Sequence, residues 1–490
     1  MVRICGFVLF PLLLGLGARA DDKPAKEIDK TSLKAYILKT QGRQAYGLYI
    51  QNKKIGWMIS ETKLAQLDNK EVALSAEEFY VKVNRDGDDL VMESKGSTWF
   101  SLEGDGEVLR IEDRSKQNKR ETLRTGVRKG KEFVISTNQK GRTTERTVAL
   151  PKKNLVLSRK LDSWLESTPK KGEQFESWST SLEDEEIDTK EVYTFLSKKK
   201  VVWGGVPTDI YHVNVLSKGA NYDADIKPDG TPIRGKVGGF LEMRAEPEAT
   251  AKQLDSKPID LMVLSSIEVD RNLGNAHRVT ALTMEVTGLG DYKLPSSHRQ
   301  QVRTEKGKTV LELKEDFRTG KTEGLTAKQR AFYLKATPTV QTDAEKVKKL
   351  AQKVVGDEKD PVKVARKIKT WVYRNLRKSM AANASTTLEV LDNMAGDCTE
   401  HTLLFVSLAR AAGVPAREVG GVAFVNVGRP IFGWHAWAEF HDGEQWVTAD
   451  PTWDELYVDA THIKFSEGDD MAWLNVLGHV KFKVVKFDKK

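Results

Sequence analysis

Short stretches in which apolar and polar residues alternate dominate the chain from about residue 36 to residue 325. Examples are EFYVKV, VYTFLS and IYHVNVL, which are rich in β-branched and aromatic residues and bounded by turn residues. This alternation is typical of half-buried strands, and the repeated Asp-Gly pairs favour tight hairpins. The pattern predicts mostly antiparallel β structure, divided into a domain over 36–156 and a second over 175–325, with a short helix and linker over 157–174 between them.

Apolar residues adopt helical spacing after residue 326. This spacing predicts one helix over 342–356 and another that begins at Pro361, because proline favours the first helical position. A third helix is predicted at TTLEVLDNM, whose Thr386 and Glu389 have the spacing of a capping box. Because strand-like segments follow the helices, we expect a separate α+β domain over 326–490.

The N-terminus has the features of an export signal. Arg3 precedes an apolar run over 4–16, which ends in the small-x-small pattern Ala18-Arg19-Ala20. The run is too short to span a bilayer comfortably, and no later run is longer. We therefore predict a cleaved signal over 1–20, an exposed leader over 21–35, and a periplasmic or extracellular protein without an integral membrane segment.

The cysteine content and the net charge bear on two questions: whether the protein forms a disulfide and whether it binds nucleic acid. One of the two cysteines, Cys5, lies in the predicted signal, so the mature chain keeps only Cys398 and cannot form an internal disulfide. Signal removal takes away two arginines and no acidic residue, which lowers the formal net charge from +8 to +6. The basic residues are dispersed rather than clustered with aromatic residues, so nucleic-acid binding is not expected.

Cys398 lies in the segment GDCTEHTLLFVSLARAAGVPAR, residues 396–417. The segment predicts a buried helix that begins after Asp397, with Glu400 at capping-box spacing. Cys398 then occupies the first turn, where the positive end of the helix favours a thiolate and free N–H groups can bind an oxyanion. A free cysteine is also common as a small buried apolar residue, so position alone leaves both interpretations open.

A histidine and an aspartate follow on a predicted hairpin, GWHAWAEFHDGEQWVTADPTW. If Asp442 and Gly443 are the two central turn residues, paired residue numbers sum to 885 and His435 lies opposite Asp450. Directly paired residues have β-carbons about 5 Å apart on one face. A carboxylate in that position can orient an imidazole and stabilise its cation, so we assign His435 as the base and Asp450 as its partner.

The other histidines and the acidic turns predict no metal or cofactor site. His401 follows Cys398 by three residues but lacks an orienting acid, and the two alone would need further metal ligands at recognisable spacing. No acidic turn has the twelve-residue calcium-loop pattern. Structural roles are expected for His212, His277, His298, His462 and His479.

Cys398 in GDCTEHTLLF, His435 in HAWAEF and Asp450 in WVTADPTWD resemble, in order and spacing, the three sequence blocks of the transglutaminase-like superfamily. The exported bacterial branch is the most similar, and the resemblance covers roughly residues 330–465. It implies an α+β fold with a papain-like transglutaminase core at the C-terminus, preceded here by the large antiparallel β-rich region. It also implies a Cys-His-Asp triad in which Cys398 is the nucleophile, His435 the base and Asp450 the orienting acid.

The resemblance implies an enzyme that acts on amide bonds of proteins or peptides through an acyl-thioester intermediate. Whether water or an amine resolves that intermediate depends on the pocket. Animal cross-linking members use calcium and a tryptophan donor, whereas this chain has no calcium loop and Trp371 is expected in a helix core. We therefore expect hydrolysis rather than protein-glutamine gamma-glutamyl transfer. A non-catalytic binding or scaffolding protein is the alternative from another class, and the oligomeric state is left open.

Overall fold

The computed structural model describes residues 32–490, apart from the short segments given at the end of this paragraph. The predicted signal over 1–20 lies outside the described residues, and so does the predicted leader up to residue 31. The last residues of the leader are not exposed as predicted, because Leu33 and Ala35 are buried in the first helix, Leu33–Thr40. The described chain forms two compact units: the first ends at Ile259, and the second comprises Asp260–Lys490 together with Arg85 and Asp88. The segments left out are 86–87, 119, 140, 239, 256–257, 261–265, 306–307, 320–323, 381–383, 427 and 469.

The first unit is built on one 14-stranded antiparallel sheet. Its order is β8-β7-β6-β5-β4-β3-β2-β1-β14-β13-β12-β11-β10-β9, so nearly every strand pairs with its neighbour in sequence. The strands are β1 Gly42–Ile50, β2 Lys53–Leu67, β3 Lys70–Arg85, β4 Asp88–Phe100, β5 Val108–Gln117, β6 Arg120–Lys129, β7 Glu132–Gln139, β8 Arg142–Ala149, β9 Gln174–Thr180, β10 Asp188–Trp203, β11 Val206–Ser217, β12 Ala220–Ile226, β13 Pro232–Val237 and β14 Leu241–Ala245.

Among the described residues, three helices accompany this sheet: α1 Leu33–Thr40, α2 Leu155–Glu166 and α3 Glu248–Ala251. The predicted helix between the two β-rich segments is confirmed as α2, which begins after Asn154 because that side chain accepts a hydrogen bond from the Leu157 amide. Both α1 and α2 contribute apolar residues to a core that also contains Phe100 and Phe133 of the sheet.

The structure does not separate the two β-rich segments as the sequence suggested. Strand β1 pairs with β2 on one side and with β14 on the other, where Tyr46 lies opposite Ala245. Unpaired edges expose main-chain donors and acceptors, and this pairing removes an edge from each half of the sheet. The boundary with the second unit lies near residue 260 rather than 326, so the strands between these positions belong with the C-terminal region.

The second unit contains two main sheets and a group of helices. One sheet has the order β24-β23-β22-β21-β25, with β15 also pairing with β22, and the other has the order β17-β18-β16-β26. The strands are β15 Ile267–Glu268, β16 Val279–Thr287, β17 Gln300–Glu305, β18 Lys308–Lys314, β19 Arg377–Lys378, β20 Ala395–Gly396, β21 Ala416–Asn426, β22 Pro430–His441, β23 Trp446–Asp450, β24 Glu455–Leu456, β25 Ile463–Glu467 and β26 Lys481–Lys489.

The helices of this unit are α4 Ala327–Leu334, α5 Glu345–Val355, α6 Pro361–Asn375, α7 Thr387–Asn393 and α8 Cys398–Ala411. The predicted starts of the last three are confirmed. Asp360 caps α6 ahead of Pro361, and α7 begins with the expected capping box. Helix α5 begins later than expected, after Ala344. Helix α8 is buried along most of its length and contacts α5, α6, α7, β21 and β22, so it forms the centre of the unit.

Gly421 of β21 allows two strands to approach each other closely. It lies opposite His435 of β22 on one side and pairs with β25 on the other. A β-carbon at Gly421 would lie 2.1 Å from the carbonyl oxygen of Ile463 and 2.7 Å from the Trp437 ring. Any side chain here would therefore push β25 away from β21.

We predict that Gly421→Ala lowers the free energy of unfolding by about 1–3 kcal/mol, because the added methyl group cannot be accommodated. Gly433 of β22 is a matched control, since a β-carbon there meets its nearest neighbour at 3.7 Å. Gly433→Ala should change stability by less than about 1 kcal/mol. Denaturant titrations of the two variants measure this, and equal effects would contradict the packing argument.

Candidate active site

Cys398 is the first residue of α8, as predicted. The Asp397 side chain accepts a hydrogen bond from the Thr399 amide (2.6 Å), and Glu400 accepts one from the Asp397 amide (2.8 Å). Gly396 is required for this turn, because a β-carbon there would lie 2.2 Å from that of Glu400. The residue as a whole is half-buried. It therefore lies at the positive end of the helix while remaining open to solvent, unlike a cysteine of an apolar core.

His435 and Asp450 lie together in the same unit. The His435 Nε2–H group donates to Asp450 Oδ2 over 2.7 Å. Both residues are buried, and Asp450 has no exposed surface. Cys398 lies close enough to the same imidazole to help raise the pKa of His435. Because Nε2 is occupied by Asp450, Nδ1 is the ring nitrogen left for the thiol.

The strand register that led to this pair was wrong by two residues. The observed partners His441 and Trp446 have numbers that sum to 887, so Gly443 and Glu444 are the central turn residues. Asp450 is then opposite Trp437 in register and diagonal to His435. Residues on one face of a strand recur every second position, so a shift of two keeps both side chains on the same face. Diagonal neighbours remain within reach of long side chains, as the hydrogen bond confirms.

The pKa of His435 is raised to about 10. Burial alone would lower it, but the Asp450 carboxylate outweighs burial, and Cys398 adds to the effect. Burial likewise opposes ionisation of Asp450, yet His435 and His462 lower its pKa far below the ordinary range. Near neutral pH the pair is therefore an imidazolium and a carboxylate, which places a cation beside the thiol.

The sequence of this region matches a known family. Residues 348–451 match the model of the transglutaminase-like superfamily core. This segment is a transglutaminase-like core domain. It includes α8 with Cys398 at its start and ends one residue after Asp450, so both residues and His435 lie within the matched region.

A curated relative from Haemophilus influenzae, described as an uncharacterized protein, is 38% identical over 95 residues. The match covers 18% of this chain and 26% of the relative, so the chain spans about a quarter of the length of the curated relative that it matches. The description of this relative names neither an activity nor a substrate.

Two solved structures also resemble the chain. One, described as a "Putative Cysteine Protease" from Cytophaga hutchinsonii, has 18% sequence identity and a TM-score of 0.31, and covers 43% of this chain and 90% of its own. The other, described as a "putative protease" from Parabacteroides distasonis, has 10% identity and a TM-score of 0.19, and covers 71% of this chain and 64% of its own.

Trp453 restricts the orientation of the His435 ring in the transglutaminase-like domain. Its ring stacks on His435, with ring centroids 4.3 Å apart and planes inclined by 12°. The Asp450 Oδ1 atom accepts hydrogen bonds from the amides of Thr452 (2.7 Å) and Trp453 (3.3 Å). The turn after β23 thus fixes the carboxylate and the stacking ring together, and through them the plane of the imidazole.

Sequence reasoning missed the position of His462. This residue has no exposed surface; its Nε2 atom is 3.3 Å from Asp450 Oδ2 and its Nδ1 atom is 3.4 Å from Asp459 Oδ1. It therefore links two buried carboxylates, although it was expected to have no role at the site. The segment ATHIKF, residues 460–465, begins six positions after Asp454, the last residue of the aspartate block, and this proximity was the signal that could have revealed His462.

His401 is not arranged to act as the base. Its Nδ1–H group donates to the main-chain oxygen of Asp397 over 2.6 Å, which fixes the ring against its own helix. Burial lowers the pKa of His401, so the neutral form is favoured. This agrees with the preference for His435 as the partner of the thiol.

Two groups of described residues could hold a metal ion by the spacing of their ligand atoms. One group consists of His435, Asp450 and His462, in which both imidazoles are already hydrogen-bonded to the Asp450 carboxylate. The other consists of His277, Glu455 and Asp459, which sequence reasoning did not connect.

Proposed function

We propose that the transglutaminase-like domain is a thiol enzyme that cleaves amide bonds of proteins or peptides through an acyl-thioester on Cys398. One observation carries the proposal: a partly exposed cysteine at a helix N-terminus lies beside an imidazole that a buried carboxylate holds in its cationic form. This combination supplies a nucleophile, a proton donor and a charge that stabilises the thiolate.

In the proposed first step the Cys398 thiolate attacks the amide carbonyl. The N–H groups of the first turn of α8 stabilise the negative oxygen of the tetrahedral intermediate. His435 then donates its proton to the leaving nitrogen, the C–N bond breaks, and an amine or ammonia departs. A thioester and a neutral imidazole remain.

In the second step the neutral His435 takes a proton from water as the water attacks the thioester. The C–S bond breaks, a carboxylic acid leaves, and the thiolate–imidazolium pair is restored. Asp450 and Trp453 keep the imidazole in one plane throughout, so the same nitrogen can serve both steps.

The acceptor of the acyl group separates hydrolysis from cross-linking. An amine in place of water would make the chain a protein-glutamine gamma-glutamyltransferase. We favour water because the sequence has no calcium loop, and because Trp371 packs against the hydrophobic core of the domain rather than being free to act as a donor. A non-catalytic binding role is the remaining alternative.

We further propose that the protein acts in the periplasm or outside the cell. The apolar run and the small-x-small pattern before residue 21 support export. Within the described residues, no helix is both long and apolar enough to cross a membrane.

We predict that the exported chain begins at Asp21, and mass spectrometry of the protein from the producing cells measures this. An intact Met1, or retention in the cytoplasm, would contradict export.

We predict that Cys398→Ala abolishes amide cleavage, because no other group can form the thioester. Asp450→Asn should retain activity that is lower by about 10²- to 10⁴-fold, because the nucleophile remains but the imidazole loses its orientation and charge partner.

The wild-type rate should fall as pH rises through about 10, where His435 loses the proton needed by the leaving group. In Asp450→Asn this fall should move to lower pH, because Asp450 is what raises the pKa of His435 against the effect of burial.

A casein substrate supplied with a fluorescent primary amine allows both outcomes to be measured. Released ammonia reports the first step that both reactions share, new termini or new glutamate side chains report hydrolysis, and fluorescent casein reports transfer. His479→Ala provides a control, since this exposed histidine belongs to the same unit. Full activity of Cys398→Ala would refute the catalytic proposal, and dominant amine incorporation would favour the cross-linking alternative.

A further inference from the structure

A second cluster of titratable side chains lies close to the candidate active site. His277 belongs to a one-turn helix at Ala276–Arg278, Glu455 to β24, and Asp459 to the loop that follows it. The ligand atoms of the three side chains lie within 4.8 Å of one another. His277 Nδ1 contacts Glu455 Oε1 and is 3.7 Å from Asp459 Oδ2. Three potential ligands from two distant parts of the chain therefore converge on one point.

One carboxylate oxygen of Asp459 accepts hydrogen bonds, whereas the other has no donor among the described residues. Its Oδ1 atom accepts hydrogen bonds from the amide (2.7 Å) and hydroxyl (2.6 Å) of Thr461, and His462 Nδ1 lies 3.4 Å away. Its Oδ2 atom is buried and has no hydrogen-bond partner among the described residues. The whole residue is only 4% exposed. A buried carboxylate oxygen without a donor is unfavourable, and this one points toward His277 and Glu455.

The neighbouring groups hold these side chains in place without occupying the shared space. Glu455 Oε2 accepts a hydrogen bond from the Asp459 amide over 3.4 Å, which leaves Oε1 directed at His277. The His277 amide donates to Asn275, and its ring meets the Trp453 ring edge-on at a centroid distance of 6.2 Å. This support from a surrounding shell is what metal ligands require.

The charge of the cluster is not balanced by basic side chains. Within the described part of the chain, no lysine or arginine forms an ion pair with Glu455 or Asp459. Arg299 lies nearby, but its guanidinium donates to the main-chain oxygens of Asp459 and His462 rather than to the free carboxylate oxygen. Glu455 and the free Oδ2 atom of Asp459 therefore face His277, while Oδ1 of Asp459 faces His462.

We propose that His277 Nδ1, Glu455 Oε1 and Asp459 Oδ2 bind a divalent transition-metal ion of the zinc class. One imidazole and two carboxylates match the nitrogen and oxygen ligands that zinc accepts, whereas calcium and magnesium prefer oxygen alone. Zinc–ligand bonds of about 2.1 Å in a tetrahedron place ligand atoms about 3.4 Å apart, close to the 3.7 Å between His277 and Asp459. The His277 side chain is 51% exposed, so an ion can reach the site from solvent.

This site does not depend on the proposed catalytic function. The ion would tie the one-turn helix of His277 to the loop that carries Asp459 and His462. His462 contacts Asp450, so the same loop supports the carboxylate beside His435. The role assigned to the ion is to stabilise this part of the second unit.

The experiment measures zinc bound to the full chain after equilibration with Zn²⁺ and removal of the excess. We expect one ion per chain and a higher melting temperature with zinc, because a ligand that binds only the folded state stabilises it. Asp459→Asn removes one ligand atom but keeps an oxygen for the Thr461 donors, and His277→Gln removes another at a half-exposed position. Each should weaken zinc binding by at least about 100-fold, since changes in the outer shell alone cost 10- to 100-fold.

Two variants serve as controls. His212→Gln alters a histidine–aspartate pair in the first unit that lacks a third ligand, so zinc binding should be unchanged. Cys398→Ala should also keep the ion, and Co²⁺ in the same site should give d–d absorption without a sulfur charge-transfer band. If Asp459→Asn fails to fold, as judged by circular dichroism, His277→Gln decides the result.

The proposal is overturned if the wild-type chain retains no zinc at micromolar concentrations. It is also overturned if the ion survives His277→Gln but is lost in Cys398→Ala, because the metal would then belong to the thiol and its histidine. If the cluster is only a protonated imidazole between two carboxylates, the wild-type chain will retain no zinc.

Discussion

The buried contact between Asp450 and His435 is the interaction on which the candidate active site depends. Asp450 has no exposed surface, and a carboxylate without water is stable only when donors surround it. The imidazole and the amides of the next turn supply those donors. The carboxylate in return keeps His435 protonated well above neutral pH, which gives the Cys398 thiol a cationic neighbour. Asp450 therefore keeps His435 cationic, and His435 in turn keeps Asp450 ionised.

Features that are encoded within a few neighbouring residues could be predicted from the sequence. Asp397 and Glu400 fix the start of α8, and therefore the first-turn position of Cys398, without help from a distant partner. Alternation along β22 and β23 placed His435 and Asp450 on one face. That conclusion survived a wrong assignment of the turn because a shift of two residues preserves the face.

Features that depend on distant pairing could not be predicted. Strand β16 joins the second unit because it pairs with β26 near the end of the chain, whereas its own alternation looks like that of the first unit. His462 and Trp453 reach the active-site pair from loops, and no periodic pattern indicates where a loop folds back. His277 lies 178 positions before Glu455, so spacing in a single sequence cannot connect them.

The central claim is that the buried Asp450 carboxylate keeps His435 cationic, and the pH titration of the His435 imidazole, followed by NMR of its ring nitrogens, tests it most directly. A free histidine loses its proton at about pH 6.5. We predict that His435 in the full chain keeps its proton up to about pH 10. In Asp450→Asn the imidazole should lose its proton at lower pH, because burial alone lowers its pKa. A wild-type His435 that is already neutral at about pH 8, or an Asp450→Asn variant with an unchanged titration, would contradict the account.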